Sequence, residues 1–255
     1  MFGKIDKLYN KLQNIRPISS ESIRRLSEDF MIDYTYNSNA IEGSTLTLEE
    51  TAFVLKEGVT VGEKPLQHHL EAIGHRDAYY YVEDLVQQRI PISERMIKEI
   101  HSLVLMDRQS DKGVYRSVPV RVGSFYPCEP YEIPVQMEQL MTKYNGEMQK
   151  LHVVERAAVF HLRFETIHPF IDGNGRVGRL LLNFELMKEG YPPVNVKFTD
   201  REKYYHCFKY YQDNDGDTSK MTELISNYTI YELERYIEIA EQAEHLRSRY
   251  PEKYC

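Results

Sequence analysis

The chain has 255 residues, of which 42% are hydrophobic and 28% charged, an ordinary composition for a globular protein that can bury a substantial core. Its net charge of −7 gives no indication of a broad basic surface, so nucleic acid is not an expected partner. Without a bilayer-spanning apolar run, a signal-peptide pattern or closely spaced cysteines, we expect a cytoplasmic protein with no membrane association and no cysteine-based zinc site.

Most elements predicted along the chain are helices. The first strongly periodic segment stops at Gly43, and its apolar positions at helical spacing are Ile23, Leu26, Phe30 and Tyr34. The next helix opens with a capping box formed by Thr47 and Glu50 and stops at Gly58. Two further helices follow, and the second has Ser93 as its N-cap.

One short hairpin is the only β-structure that the sequence predicts. Val118, Val120 and Val122 alternate with polar residues or proline, which is the pattern of a strand with one apolar face. Because Pro119 cannot donate to a neighbouring strand, we expect an edge strand or a loose hairpin. Further helical segments follow, and the chain ends in a long charged helix over about Asn227–Arg249. The fold class is therefore mostly α.

The segment HPFIDGNGRVGR, residues 168–179, contains glycines at the G-x-G-x-x-G spacing of dinucleotide-binding turns. Such a site also needs a buried strand before the first glycine and an acidic residue about 20 positions later, at the end of a second strand. The preceding segment has helical spacing instead, with apolar positions at Ala157, Phe160, Phe164 and Ile167. No second strand follows, so we do not expect an NAD site.

The residues after these glycines indicate a site for an anion. Helical spacing resumes there, with apolar positions at Val177, Leu180, Leu181, Phe184 and Met187. Gly173, Asn174 and Gly175 therefore lie at a helix N-terminus, where free backbone N–H groups and the helix dipole favour an anion. Arg176 and Arg179 would oppose that dipole unless an anion lay between them, so the segment predicts a polyphosphate site.

His168 and Asp172 complete the predicted site. A histidine can take a proton from a hydroxyl nucleophile near neutral pH, and a carboxylate beside phosphates is a typical Mg²⁺ ligand. Taken singly, both are more often structural residues. Their combination with two arginines and Asn174 within one short segment favours a catalytic site. Phe170 is assigned to packing.

At these positions the sequence resembles the Fic (Fido) family, whose motif H-x-F-x-[DE]-G-N-G-R-x-x-R matches throughout. The resemblance extends over about 93–228 and implies a Fic-type helical bundle with one small β-hairpin flap. It places a helical region at 1–92 before this catalytic core and a C-terminal helix at 229–255 after it.

The resemblance implies transfer of AMP from ATP to a hydroxyl side chain of a protein, with release of pyrophosphate. His168 would be the general base, Asp172 the Mg²⁺ ligand, and Gly173–Arg179 the phosphate-binding segment. A branch that transfers phosphate instead carries lysine at the position of Gly175. Other nucleotide donors remain open.

Further ATP contacts are implied at the hairpin end and in a later helical segment. Those residues are Val122, Gly123, Ser124, Phe125, Tyr204 and Asn214. For Tyr204 a packing role in a tyrosine-rich helix, and for Asn214 an ordinary loop role, remain equal alternatives. His161 is interpreted as a structural histidine.

The segment SNAIEG, Ser38 to Gly43, matches the family's inhibitory motif [ST]-x-x-x-E-[GN]. Gly43 is typical of a residue just past a helix end, where the carboxylate of Glu42 would be disfavoured by the dipole unless paired. Alone, Glu42 would be interpreted as a surface residue. The match implies a bidentate ion pair with Arg179 that blocks the ATP γ-phosphate, within one chain or under control of a homo-oligomer.

Other functions remain open at this point. One is removal of AMP from a modified protein, with Glu42 positioning the attacking water. Another is a nucleotide-sensing module without activity, although pure binding would not require His168. For the transferase we expect self-modification, and docking of an extended target segment on the hairpin 118–125 through main-chain hydrogen bonds.

Overall fold

The computed structural model describes residues 1–15, 20–123 and 125–249, and Ser124 and the side chain of Ile23 lie outside that description. Within these ranges the regular structure is helical, which confirms the predicted class. The α-helices are α1 (Phe2–Ile15), α2 (Ser20–Ile41), α3 (Leu48–Glu57), α4 (Leu66–Gln87), α5 (Glu94–Val104), α6 (Ile133–Asn145), α7 (Val153–Ile167), α8 (Asn174–Lys188), α9 (Arg201–Asp213) and α10 (Ser219–Arg249). Short 3₁₀ turns span Pro130–Glu132, Glu147–Lys150 and Phe198–Asp200. No described helix has the length and apolar character needed to cross a membrane.

The predicted caps of the N-terminal helices are confirmed. Thr47 Oγ1 accepts the Glu50 backbone N–H at 3.1 Å, and Glu50 Oε2 accepts the Thr47 N–H at 2.8 Å. Gly58 ends α3 in the left-handed region at φ +67°, and Ser93 Oγ accepts the Met96 N–H at 3.2 Å. These ends form from local signals alone, since each donor lies within a few residues of its acceptor.

The core consists of two hydrophobic clusters that share α7 and α8. The first lies against α2, α4, α5 and α6, and the second against α1, α9 and α10. The sequence predicts a helix with one apolar face after the glycines, but α8 is buried on all sides. Its opposite face, with Leu182 and Leu186, packs into the second cluster. This central position fixes the N-terminus of α8 inside the molecule.

The C-terminal helix starts earlier than its predicted beginning near Asn227, because α10 opens at Ser219. Ile5 and Leu12 of α1 belong to the same buried cluster as Leu233 of α10 and Val154 of α7. Side chains from all three predicted regions therefore contribute to one cluster.

The predicted hairpin is not confirmed as β-structure. Among the described residues, Val122 and Phe125 form one isolated antiparallel bridge, with both backbone N–H···O distances at 2.9 Å. Val118 and Val122 are 50% and 38% exposed, so the expected apolar face is not buried. We call residues 117–128 the flap.

The flap is held by a side chain instead of a ladder of backbone hydrogen bonds. The Arg116 guanidinium donates to the carbonyl of Val118 at 3.2 Å and to that of Cys128 at 2.6 Å, one on each arm. Since Pro119 has no N–H to donate, regular pairing of the arms would be interrupted in any case.

Candidate active site

The loop that carries the motif is closed by Asn174, the first residue of α8. Its side-chain oxygen accepts the Phe170 N–H at 2.9 Å, and its amide donates to the Phe170 carbonyl at 2.8 Å. Gly173 precedes the helix at φ +77°, a conformation that L-residues rarely adopt. Phe170 is fully buried and stacks on His101 at 3.7 Å, as its assignment to packing requires.

His168 caps the C-terminus of α7 in the left-handed region, at φ +50°. Its N–H donates to the Phe164 carbonyl at 3.0 Å, and its carbonyl accepts from Arg116 Nε at 2.8 Å. The backbone is therefore fixed on both sides, while the imidazole lines a cavity. Its Nδ1 atom lies 3.6 Å from Glu165 Oε2.

Asp172 lies at the other end of the loop, and its side chain is 36% exposed. Oδ1 accepts the Gly173 N–H at 2.6 Å and lies 3.4 Å from Arg176 Nη2. Oδ2 lies 3.1 Å from Nη2 of Arg108, which follows α5. The carboxylate thus faces solvent with one oxygen tied to the loop and the other next to a cation.

His101 supports this loop from below. Its Nδ1 accepts the Gly113 N–H at 2.8 Å, so the proton is on Nε2, which donates to the Asp172 carbonyl at 3.0 Å. Burial lowers the pKa of His101 to about 4, so the imidazole is neutral. Sequence reasoning missed this residue.

Arg179 is held in an ion pair that reaches across the molecule. Its Nη2 lies 2.8 Å from Glu42 Oε1 and 2.8 Å from the Ser38 carbonyl, and Nε donates to Ser38 Oγ at 3.0 Å. Nη1 is buried and has no hydrogen-bond partner among the described residues. The structure shows one contact with Glu42 instead of the expected bidentate pair, because Ser38 accepts from Nε and shares Nη2 with the carboxylate. Gly43 closes the end of α2 at φ +101°.

Gly175 has no side chain at the place where Glu42 approaches α8. A Cβ added there would overlap Glu42 Oε1 and would lie 3.1 Å from Arg179 Nη1. The Glu42 carboxylate thus lies against the N-terminus of α8, where the sequence predicts an anion. Burial alone would lower the pKa of Arg179, but Glu42 and Tyr204 raise it above its ordinary value, so the guanidinium is charged.

A cavity of about 640 Å³ lies beside several of these groups. From the predicted site its lining includes His168, Gly175, Arg179, Glu42, Val122, Gly123, Phe125 and Tyr204. Helix α9 forms the opposite wall with, among others, Arg201, Tyr205 and Lys209. The cavity can hold a ligand of nucleotide size.

Several predicted residues lie outside this lining. Asn174 is used in the loop, and the buried Arg176 guanidinium lies 3.4 Å from both Glu71 and Asp172. Asn214 is exposed at the end of α9, and its amide donates to the Tyr210 carbonyl at 2.9 Å. Gly173 and the predicted metal ligand Asp172 are likewise absent from the lining, as are Ser38 and Gly43.

Tyr204 packs in the interior and also borders the cavity. It lines the cavity, yet it is only 1% exposed, and its hydroxyl lies 2.6 Å from His161 Nε2. Burial raises the pKa of Tyr204 well above its ordinary value and lowers that of His161 to about 4, so both groups are neutral. His161 is fully buried, which agrees with its interpretation as structural.

Four further residues act on the site but escaped sequence reasoning: Glu165, Arg116, Arg108 and Glu71. Glu165 had a usable signal, because it lies three residues before His168 at a helix end, where a carboxylate is disfavoured unless paired. Arg116 ends the segment GVYR, residues 113–116, but its contacts with the flap and the motif loop depend on folding.

Known proteins similar to this chain share its fold and site region. A family model described as the Fic/DOC family matches residues 91–186. "Protein adenylyltransferase Fic" of Nematostella vectensis is 35% identical over 243 residues, which cover 93% of this chain and 56% of that relative. The chain thus spans about half the length of the curated relatives it matches.

Solved structures extend the likeness to nearly the whole chain. A Fic domain containing signaling protein from Bacteroides thetaiotaomicron superposes with a TM-score of 0.87 at 30% identity, covering 94% of this chain and 97% of that one. Fic-1 of C. elegans (residues 134–508) gives a TM-score of 0.83 at 27% identity, covering 94% and 72% respectively.

Proposed function

This chain belongs to the Fic/DOC family, and from that premise we propose that it is an autoinhibited protein adenylyltransferase. It transfers AMP from ATP to a Ser, Thr or Tyr hydroxyl of a target protein and releases pyrophosphate. The observation that carries this proposal is the cavity in which His168, the N-terminus of α8 at Gly175 and the Arg179 guanidinium meet. A general base, a helix N-terminus that can bind an anion and a guanidinium that can bind phosphate lie together there.

The reaction needs one proton transfer and one displacement. His168 takes the proton of the target hydroxyl, and the oxygen attacks the α-phosphorus of ATP. The bond from that phosphorus to the bridging oxygen of the leaving pyrophosphate then breaks. The backbone N–H groups around Gly175 and the buried, unpartnered Nη1 of Arg179 are suitable donors for phosphate oxygens.

Asp172 fits the role of a Mg²⁺ ligand. Within the described residues no group of three or more His, Cys, Asp or Glu side chains could hold a metal ion, and Mg²⁺ bound through one carboxylate plus phosphates and waters needs no such group. The partly exposed Asp172 carboxylate already has a cation, Arg108, 3.1 Å from one oxygen. When bound, Mg²⁺ would offset phosphate charge, and we expect EDTA to stop transfer.

Glu42 acts as the brake in this proposal. Its carboxylate is next to the same helix N-terminus and the same arginine that ATP phosphates would use. ATP must therefore displace a negative charge that belongs to the protein. Arg179 is 2% exposed whereas the Glu42 side chain is 35% exposed, so opening the pair leaves a buried guanidinium without its carboxylate.

The flap is proposed to dock the target. Among the described residues of the flap, only Val122 and Phe125 pair through a β-bridge, so most backbone groups of both arms make no cross-strand hydrogen bond. Tyr126, next to this bridge, is 68% exposed. An extended segment can add to such an edge through main-chain hydrogen bonds and place its hydroxyl next to His168.

The test is incubation with ATP labelled at the α-phosphate. Glu42→Gly is expected to raise labelling of the protein itself by on the order of 100-fold, since releasing a charge-assisted pair on the buried Arg179, worth a few kcal/mol, shifts a minor active state to dominance. Glu49→Gly, an exposed glutamate in the next helix, is the matched control and should leave labelling unchanged.

A contrary result is easy to recognise. If Glu42→Gly gains no labelling, and instead loses release of AMP from a pre-modified protein in the absence of ATP, removal of AMP is the activity. If neither changes, Glu42 has no role in chemistry.

A further inference from the structure

A carboxylate lies directly behind the proposed base, on the last turn of α7. Glu165 Oε2 is 3.6 Å from His168 Nδ1, on the opposite side of the imidazole ring from Nε2. The two side chains are 11% and 16% exposed. Neither is a surface group that water can fully hydrate.

One buried atom in each side chain has no hydrogen-bond partner within the described residues. Glu165 Oε1 and His168 Nδ1 are buried and make no hydrogen bond to any part of the chain that the structure describes. A buried carboxylate without partners is costly, and its position at a helix C-terminus adds to the cost. A proton on Nδ1 would give Nδ1 a partner and the carboxylate a donor at Oε2 after a movement of less than about 1 Å. Catalytic hydrogen bonds are often long before substrate binds.

Two other titratable or charged groups lie near Glu165 and are partly engaged elsewhere. His161, on the same helix, is neutral and uses Nε2 for Tyr204 of α9, while its Nδ1 is buried without a partner among the described residues. Arg179 of α8 is paired with Glu42, the residue after α2.

Charge still favours an ionised Glu165. Burial alone would raise its pKa, but interactions with His168, His161 and Arg179 lower it below its ordinary value. The carboxylate is therefore available as an acceptor for the imidazole.

The fold keeps space for this carboxylate at Gly178. A Cβ at that position would overlap Glu165 Oε1, and it would lie 2.8 Å from His161 Nδ1. The third glycine of the G-x-G-x-x-G spacing thus leaves room for the Glu165 side chain next to α8. This packing explains the glycine without a dinucleotide.

We propose that Glu165 is a positioning residue for His168: it accepts a hydrogen bond from Nδ1–H, which leaves Nε2 unprotonated toward the cavity. This inference rests on the proposed function. In the reaction, Nε2 takes the proton of the target hydroxyl, Nδ1 keeps its own proton, and Glu165 remains ionised beside the imidazolium. Glu165 touches neither ATP nor the target.

Kinetics in the activated Glu42→Gly background test the proposal. Glu165→Gln preserves shape but removes the charge, and its amide can donate to Nδ1 and so favour the wrong tautomer. We expect kcat to fall by about 100-fold or more, because the base contributes about 10²–10⁴-fold. The KM for ATP should stay within about twofold, since the phosphate site is unchanged.

Two variants separate positioning from packing. Glu165→Asp retains the charge, and its kcat should be at least about tenfold higher than that of Glu165→Gln. Glu155→Gln, on the first turn of the same helix, should leave kcat unchanged. Similar kcat values for the parent and Glu165→Gln would overturn the proposal.

A spectroscopic measurement does not depend on transfer. In protein with ¹⁵N-labelled histidine, the signal absent from His168→Ala identifies His168, and we expect its Nδ1–H tautomer in the parent and loss of that tautomer in Glu165→Gln. An unchanged tautomer would overturn the proposal. A protein that shows the expected tautomer change but labels no substrate would contradict the proposed function alone.

Discussion

At the scale of single residues, His168 combines a chemical role with an unusual backbone. Its φ of +50° lies in the region that asparagine tolerates better than alanine does. Both His168→Ala and His168→Asn are expected to lower AMP transfer by about 10²–10⁴-fold, because proton removal is lost. Calorimetric titration should find ATP affinity close to that of the parent in His168→Asn.

Comparison of the two variants provides the control for that prediction. If His168→Asn binds ATP normally and still transfers AMP at the parental rate, the base is another residue. A loss of ATP binding confined to His168→Ala would instead report backbone disturbance at the left-handed position.

Ser38 makes a smaller contribution to the brake than Glu42 does. Its hydroxyl accepts from Arg179 Nε at 3.0 Å, but its carbonyl, which accepts from Nη2, survives any substitution. A hydrogen bond to a charged group contributes about 1.5 kcal/mol, so Ser38→Ala should raise self-labelling by roughly tenfold, less than Glu42→Gly. Labelling in Ser38→Ala that equals or exceeds that of Glu42→Gly would contradict this ranking.

At the scale of elements, Arg116 joins the flap to the motif loop. Besides Val118 and Cys128, its guanidinium donates to the His168 carbonyl, and its backbone N–H donates to the Pro169 carbonyl at 2.9 Å. The residue is 5% exposed, so these carbonyls would lose their donor without gaining water.

We therefore expect Arg116→Met to lower the free energy of unfolding by about 2–4 kcal/mol. Arg163→Met is the matched control, because Arg163 is 30% exposed and its partner Glu147 is 61% exposed, and such pairs contribute about 0–1 kcal/mol. Urea unfolding followed by circular dichroism measures both, since the chain has no tryptophan. Equal losses in the two variants would show that the contacts of Arg116 do not stabilise the fold.

The elements also show what a sequence can predict. The capping box at Thr47 and the N-cap at Ser93 formed as expected because donor and acceptor are three residues apart. The flap differed because a valine alternation reports local preference only, whereas its arms are held by one buried arginine. The early start of α10 was missed, because apolar packing against α1 and α7 outweighs the polar character of its first turns.

In the candidate site, the motif residues could be predicted from the sequence, but their contacts with distant residues could not. His168 and Asp172 followed from chemistry and spacing within one short segment. The pairing of Glu42 with Arg179 joins residues 137 positions apart, and only the resemblance to a family pointed to it. Glu71 lies next to Arg176 solely because α4 packs against α8.

At the scale of the whole molecule, buried neutral histidines make stability depend on pH. Burial lowers the pKa of His161 to about 4 and that of His75 well below its ordinary value of 6.5. The unfolded chain binds protons on both below about pH 6.5, while the folded chain does not. The stability they provide is present above that pH and is lost as pH falls.

Each such group adds about 1.4 kcal/mol per pH unit to the slope between these pKa values, so we expect the free energy of unfolding to fall steeply from pH 6.5 to pH 4.5. Urea unfolding at several pH values measures the slope. His161→Gln should reduce it by about one proton, and the exposed His206→Gln should not. A slope unaffected by His161→Gln would mean that the group is protonated in the folded protein.

The inhibitory residues Ser38 and Glu42 belong to, or directly follow, a helix that is part of the hydrophobic core. Phe30, Tyr34 and Ile41 of α2 are at most 2% exposed, and Ser38 and Glu42, at and just after its last turn, contact Arg179. A mutation that displaces α2 would therefore unfold the protein and lower its abundance in the cell, because proteases degrade unfolded chains. Mutations that raise activity should then be restricted to a few codons, above all those for Ser38 and Glu42. Mutations of the other buried residues of α2 should instead cause loss of function.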